Sequence, residues 1–266
     1  MRDYAKEFEN RVAFIRDLLK SSGAQGIIYG NSGGKDSALV GILCKAACDN
    51  TVGIMMPCAS KRNFGEDMSD GLAVAEQFNI ETRTVDLTAE KELVMPPVSA
   101  VTTLNQMATA NIAPRLRMLT LYTIGAAEGR LVAGTGNRSE AYMGYFTKWG
   151  DGAYDFNPIA DLTVTEIYEF LTWLHAPENI IRKAPSAGLF EGQTDEQEMG
   201  VTFSEFVKHV RINASCRLLA NTAIPISDVA ERVGYKDTTF FHKTFRAIIG
   251  CSPLEFRRRK AKQPPC

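Results

Sequence analysis

The stretch "GIIYGNSGGKDSALVGILCKAAC", residues 26–48, constrains the fold more than any other part of the chain. An apolar run ends in a glycine-rich turn, and a helical pattern begins at once. A strand that feeds directly into a helix belongs to a parallel sheet covered by helices. The turn leaves free backbone N–H groups at the start of the helix, and its glycines let the backbone approach an anion closely and adopt positive φ. A plain connector has no need of serines, a Gly-Gly pair, a lysine and an aspartate together. Gly30, Asn31, Ser32, Gly33, Gly34, Lys35, Asp36 and Ser37 therefore read as a cradle for a nucleotide phosphate.

The rest of the first 200 residues repeats the alternation. "TVGIMMP", "ETRTVDL" and "RLVAGTG" read as further strands, and "GEDMSDGLAVAEQF" and "PRLRMLTLYTIGAAEG" as helices. The expectation is a doubly wound α/β fold, a parallel sheet with helices on both faces. Ligands of such sheets bind at the carboxyl ends of strands. Both glycine-rich loops, "GNSGGKDS" and "GTGNRSE", fall at such ends and are expected side by side. At 266 residues and 45% hydrophobic, the chain has ample core for one large domain and a small module.

The first loop is not a Walker A loop, because Asp36 follows Gly34-Lys35 and Tyr29 stands where the first glycine is required. Nor do its glycines have the spacing of a Rossmann fingerprint. Ser32-Gly33-Gly34-x-Asp36-Ser37 instead resembles the pyrophosphate loop of the N-type ATP pyrophosphatases. Those enzymes cleave ATP between the α- and β-phosphates and adenylate a substrate. Magnesium on pyrophosphate takes carboxylate oxygen, which Asp36 is placed to supply.

The second loop continues as "GTGNRSEAYMGYFTKWGDGAYDFNPIADLT" and offers a hydroxyl (Thr135), acids (Glu140, Asp151, Asp155) and a cation (Lys148). With "PENIIRKAPSAGLFEGQTDEQEMG" it resembles ammonia-dependent NAD synthetase over about residues 4–205. The resemblance implies an adenine nucleotide alpha hydrolase-like fold, usually as a homodimer, and the joining of ammonia to deamido-NAD through an adenylated carboxylate. Carried over by motif, residues 30–37, Thr135 and Ser186 would contact ATP. Asp36 and Glu140 would hold magnesium. Arg115 (or its neighbour Arg117), Lys148 and Asp155 would meet deamido-NAD. "PSAGLFEGQTDE" would cover the site. No Ser/His/Asp or Cys/His set stands out, as expected for catalysis by positioning and charge neutralisation. The length leaves no room for a glutaminase domain, so ammonia is expected from solution or a partner. The sequence departs from the family at Val164, where the family carries a lysine that reaches ATP phosphate, and in its C-terminal segment. Both departures imply weakened ATP binding or slower turnover.

A net charge of −1 conceals an asymmetry: −8 over residues 1–200 and +7 over residues 201–266. The basic part is helical throughout. "ISDVAERVG" followed by "TTFFHKTFRAII" has the form of a helix-turn-helix, with Ala230 small at the crossing and Gly234 in the turn. Lys236, Thr238, Thr239, His242, Lys243 and Arg246 would line the second helix for DNA contact, and Arg257, Arg258, Arg259 and Lys260 could hold phosphates. With "RINASCRLL" and "GCSPLEFRRRK", this segment resembles the DNA-binding region of AraC-like regulators, which implies a joining helix and the second of that family's two units. Lacking the first unit, it is expected to bind DNA weakly and mainly through phosphates. The domains are read as 1–202 and 203–266. A DNA-binding regulator that uses the synthetase body as a nucleotide sensor is the alternative. Six scattered cysteines without a C-x-x-C pair point to a reducing cytoplasm, and no apolar run is long enough to span a membrane. The first 20 residues read as an amphipathic helix, not a signal peptide.

Overall fold

The computed structural model describes residues 2–58, 64–183, 203–235 and 237–261. The chain divides into two compact units, Met1–Gln193 and Thr194–Cys266.

The first unit is built on four parallel strands, β1 (Gly26–Gly30), β2 (Thr51–Met55), β3 (Glu81–Thr84) and β4 (Arg130–Ala133), in the order β3-β2-β1-β4. Ile27 pairs with Thr51 on one side and with Leu131 on the other. The two central runs, "GIIYG" and "TVGIM", are buried almost throughout, as continuous apolar strands of a covered parallel sheet should be. The polar "ETRT" takes an edge, where one side of the backbone needs no partner strand.

The alternating strand residues select two helical layers. Ile27 and Tyr29 face a core shared with α1 (Tyr4–Ser22), α2 (Lys35–Ala47), α3 (Glu66–Gln77), α8 (Val164–Trp173) and α9 (Glu178–Arg182). Ile28, Val52 and Ile54 face α6 (Ile112–Glu128), which follows α4 (Thr88–Ser99) and α5 (Gln106–Ala110). The expected doubly wound architecture is therefore present. Tyr29 fits inside only because two of its neighbours lack side chains. A Cβ at Gly41 or Gly53 would come within 2.3 or 2.9 Å of its hydroxyl.

The chain runs from β1 outward to β2 and β3, then returns to add β4 on the other side of β1. The order of strand addition reverses between β1 and β4, and such a switch point opens a crevice beyond the strand ends. The loops after these two strands flank it. The short α7 (Arg138–Met143) opens from the second loop behind a capping box formed by Asn137 and Glu140, and α8 opens behind another formed by Thr163 and Glu166.

The second unit comprises α10 (Phe203–Asn221), α11 (Ile226–Arg232), α12 (Thr238–Ile249) and α13 (Pro253–Ala261). Ile212, Leu219, Val229, Phe241 and Phe245 form its core. Ala230 is fully buried, and Gly234 takes φ +84° in the turn, where a Cβ would press on the Arg211 guanidinium. Asp237 caps α12 by accepting from Thr239 N–H at 2.7 Å. The expected helix-turn-helix is thus formed by α11 and α12.

Candidate active site

The candidate phosphate loop, residues 30–37, is shaped by its own asparagine and by close approach to α3. Asn31 is buried, donates to Gly71 O at 3.1 Å and accepts from Gly33 N–H at 3.3 Å, so its side chain shapes the loop. Gly33 adopts φ +69°, and a Cβ there would lie 2.0 Å from Asp67 O. Only glycine fits this position. Ser37 Oγ donates to Gly34 O and lies 3.1 Å from Ser32 Oγ. Gly34 caps α2 without any side-chain hydrogen bond, so the first N–H groups of that helix have no cap competing with an anion.

Lys35 is buried, with its ammonium 2.8 Å from Asp36 Oδ2 and 6.0 Å from the Tyr168 ring centroid. Burial disfavours its charge, but Asp36, helped by Glu140 and Tyr168, outweighs this and raises its pKa. Asp36 Oδ1 also accepts from Asn137 Nδ2 at 3.1 Å. The same Asn137 donates its backbone N–H to Glu140 Oε2 at 2.9 Å and accepts Glu140 N–H at 3.0 Å. One fully buried asparagine therefore ties both proposed magnesium carboxylates together across the crevice. Burial and the facing Asp36 push Glu140 up to about 7.

Two carboxylates joined through one asparagine, with Lys35 close by, suit a divalent cation that also binds phosphate. Magnesium is commonly held by one or two protein carboxylates plus substrate phosphates. Among the described residues no cluster of three or more His, Cys, Asp or Glu forms a self-sufficient metal cage.

Further along the crevice, Thr135 stands half-buried just beyond β4. Asp155 is tied to β4 through Val132 N–H at 2.8 Å and to Tyr122 Oη at 3.2 Å. Arg115 is exposed and donates to Lys148 O at 3.3 Å, which brings these two expected substrate residues together. Arg117 is half-buried and donates to Met56 O at 3.1 Å. Arg115 is therefore the more accessible of the pair. Val164, the first residue of α8, lies one turn before Tyr168. Ser186 and the expected cover segment lie outside the described residues, as does Lys236. On α12, Thr238, Thr239, Lys243 and Arg246 are exposed, while His242 is half-buried with its ring edge-on to Phe241.

Asn137, Tyr168 and Lys183 contribute to this site although sequence reasoning did not single them out. For Asn137 a signal was present: Asn three residues before Glu at a helix start is a capping pattern, and the cap is what aims Glu140. Tyr168 and Lys183 gave none, since each reaches the loop from a distant part of the chain.

A model of the NAD synthase family matches residues 7–232, and one of the AraC family of bacterial regulatory helix-turn-helix proteins matches residues 219–258. The chain is 45% identical over 206 residues to the NH(3)-dependent NAD(+) synthetase of Carboxydothermus hydrogenoformans, covering 76% of this chain and 84% of that protein. It is 40% identical over 205 residues to the enzyme of the same name from Archaeoglobus fulgidus, covering 76% and 81%. Among solved structures, NMN synthetase from Francisella tularensis superposes with a TM-score of 0.73 at 30% identity, covering 100% of this chain and 99% of that one. NH3-dependent NAD synthetase from Campylobacter jejuni superposes with a TM-score of 0.65 at 26% identity over the same shares. With a family model spanning most of its length and relatives this similar, the chain belongs to the NAD synthase family.

Proposed function

We propose that residues 1–202 catalyse the ATP-dependent amidation of deamido-NAD by ammonia. A nicotinate carboxylate oxygen attacks the α-phosphorus of ATP and pyrophosphate leaves. Ammonia then attacks the acyl carbon, its nitrogen gives up a proton to solvent, and AMP leaves with the electron pair of the broken C–O bond. The observation that carries this reading is the carboxylate pair Asp36/Glu140, bridged by Asn137 beside a phosphate loop at the sheet's switch point. In it, residues 30–37 receive the ATP phosphates through backbone N–H groups, with Lys35 adding positive charge. Asp36 and Glu140 hold magnesium, which when bound neutralises phosphate charge. Thr135 and Ser186 contact the nucleotide. Arg115, Lys148 and Asp155 orient deamido-NAD. Positioning and charge neutralisation do the work, with no nucleophilic side chain required.

The test is incubation with ATP, magnesium, ammonium and deamido-NAD, following NAD and AMP together. Equal formation of both supports the reading; AMP without NAD, or neither product, overturns it. A parallel arm with the mononucleotide acid asks whether the product named for the Francisella structure, NMN, is made here.

Exposed Leu93, Val101, Met107 and Leu119, on and between α4, α5 and α6, support a second copy of the chain as partner. The basic face of α12 supports weak DNA contact by residues 203–266. The described cysteines are all free thiols, which fits a reducing cytoplasm. No described helix is long and apolar enough to cross a membrane.

A further inference from the structure

We infer that Lys183 is a positioning residue for the phosphate loop, setting the direction of its Gly34 N–H; this rests on the assignment of that loop to ATP. Lys183 follows α9, far from the loop in sequence. Its Nζ lies 2.6 Å from Asp70 Oδ2, 2.8 Å from Asp67 Oδ1 and 3.2 Å from Gly33 O. An ammonium has three N–H donors, and these acceptors engage all of them. The three side chains are each only about 15% exposed. With no proton left over, Lys183 acts on a phosphate through the loop and not by direct contact.

The consequence follows from peptide geometry. In a planar trans peptide the C=O of one residue and the N–H of the next point in opposite directions. Drawing Gly33 C=O toward Lys183 therefore turns Gly34 N–H away from it, toward the opposite side of the loop where α2 begins. Gly33 sits in the left-handed region and lacks a Cβ, so nothing in its own conformation holds that peptide plane. The ammonium supplies the missing restraint. It is itself anchored, because Asp67 and Asp70 lie on one face of α3 and Tyr168 Oη donates to Lys183 O at 2.7 Å.

The test uses the full chain and titrates ATP by calorimetry, with deamido-NAD as a second ligand. Lys183→Met keeps the length of the side chain and removes the donors. ATP affinity is expected to fall about tenfold or more, the scale of a lost hydrogen bond from a charged group. Deamido-NAD affinity should stay within about twofold. Lys183→Arg should recover part of the loss. Lys183→Met/Asp70→Asn removes one of the two negative charges that faced the ammonium and keeps the test open should the single variant fold poorly. Equal losses for both ligands, or no loss for ATP in a folded variant, overturn the role. The affinity readout does not depend on turnover, so a wild-type chain that binds ATP but makes no NAD sinks the assigned reaction and leaves this role standing.

Discussion

Asp36 is the residue on which most of the proposed chemistry converges. It meets Lys35 within its own loop and Asn137 from the neighbouring one. Asp36→Ala should lower the rate of AMP release by at least about a hundredfold, since a lost metal ligand removes several kcal/mol of charge stabilisation. The fold should stay intact, because Asp36 is not part of the apolar core, but the melting temperature should fall, because the buried Lys35 ammonium loses its carboxylate. Near wild-type AMP release would remove Asp36 from the site. Glu140 makes a separate claim. Its carboxyl is held up to about 7, against an ordinary value near 4.5, because burial and Asp36 disfavour its charge. The folded state then binds a proton that the unfolded state has lost between these two values. Its stabilising contribution is present at the acid end and disappears as pH rises through about 7. In chelator, the melting temperature should therefore fall more steeply from pH 5 to 8 for wild type than for Glu140→Gln. Identical slopes would show that Glu140 ionises normally.

At the scale of elements, the phosphate loop depends on helices that reach it from elsewhere. α8 presents Val164 and, one turn on, Tyr168, whose ring lies 6.0 Å from the Lys35 ammonium. Lys35 therefore brings positive charge to the α8 side of the loop, the side from which the resembling family uses a lysine at position 164. Val164→Lys should tighten ATP binding by roughly tenfold, the scale of one charge-assisted contact. Lys35→Ala should cost less in that background than in wild type. A double-mutant cycle on ATP affinity measures the coupling. No change on Val164→Lys would mean that this turn of α8 does not face the nucleotide. The strands were legible because a parallel sheet buried on both faces needs continuous apolar runs, and "GIIYG" and "TVGIM" are such runs. The helix α4 was not, since Pro96 and Pro97 inside it break the usual pattern and none of its residues is buried.

On the scale of the whole molecule, an acidic nucleotide-binding unit is joined in sequence to a basic helical one. Lys243, Arg246, Arg258 and Arg259 are exposed on the second unit. If these four cations each neutralise one phosphate, log affinity for DNA should fall with log salt at a slope of about −4. Raising salt from 50 to 200 mM would then weaken binding about 250-fold, about equally for unrelated duplexes. Fluorescence anisotropy on two random duplexes checks this, and tight, salt-resistant binding to one of them would contradict it. Local sequence determined the strands, most helices, the phosphate loop and the helix-turn-helix. Each is specified by hydrophobic period, glycine placement or capping within a short window. Asp36, Glu140, Arg115 and Lys148 could be put forward as site residues because their motifs are contiguous in the sequence. Only tertiary structure decided that Asn137 joins the two carboxylates, that Lys35 lies against Tyr168, and that Lys183 holds Gly33. Those contacts link residues up to 150 positions apart. Such pairings arise from how helices pack across a sheet, and no local pattern encodes them.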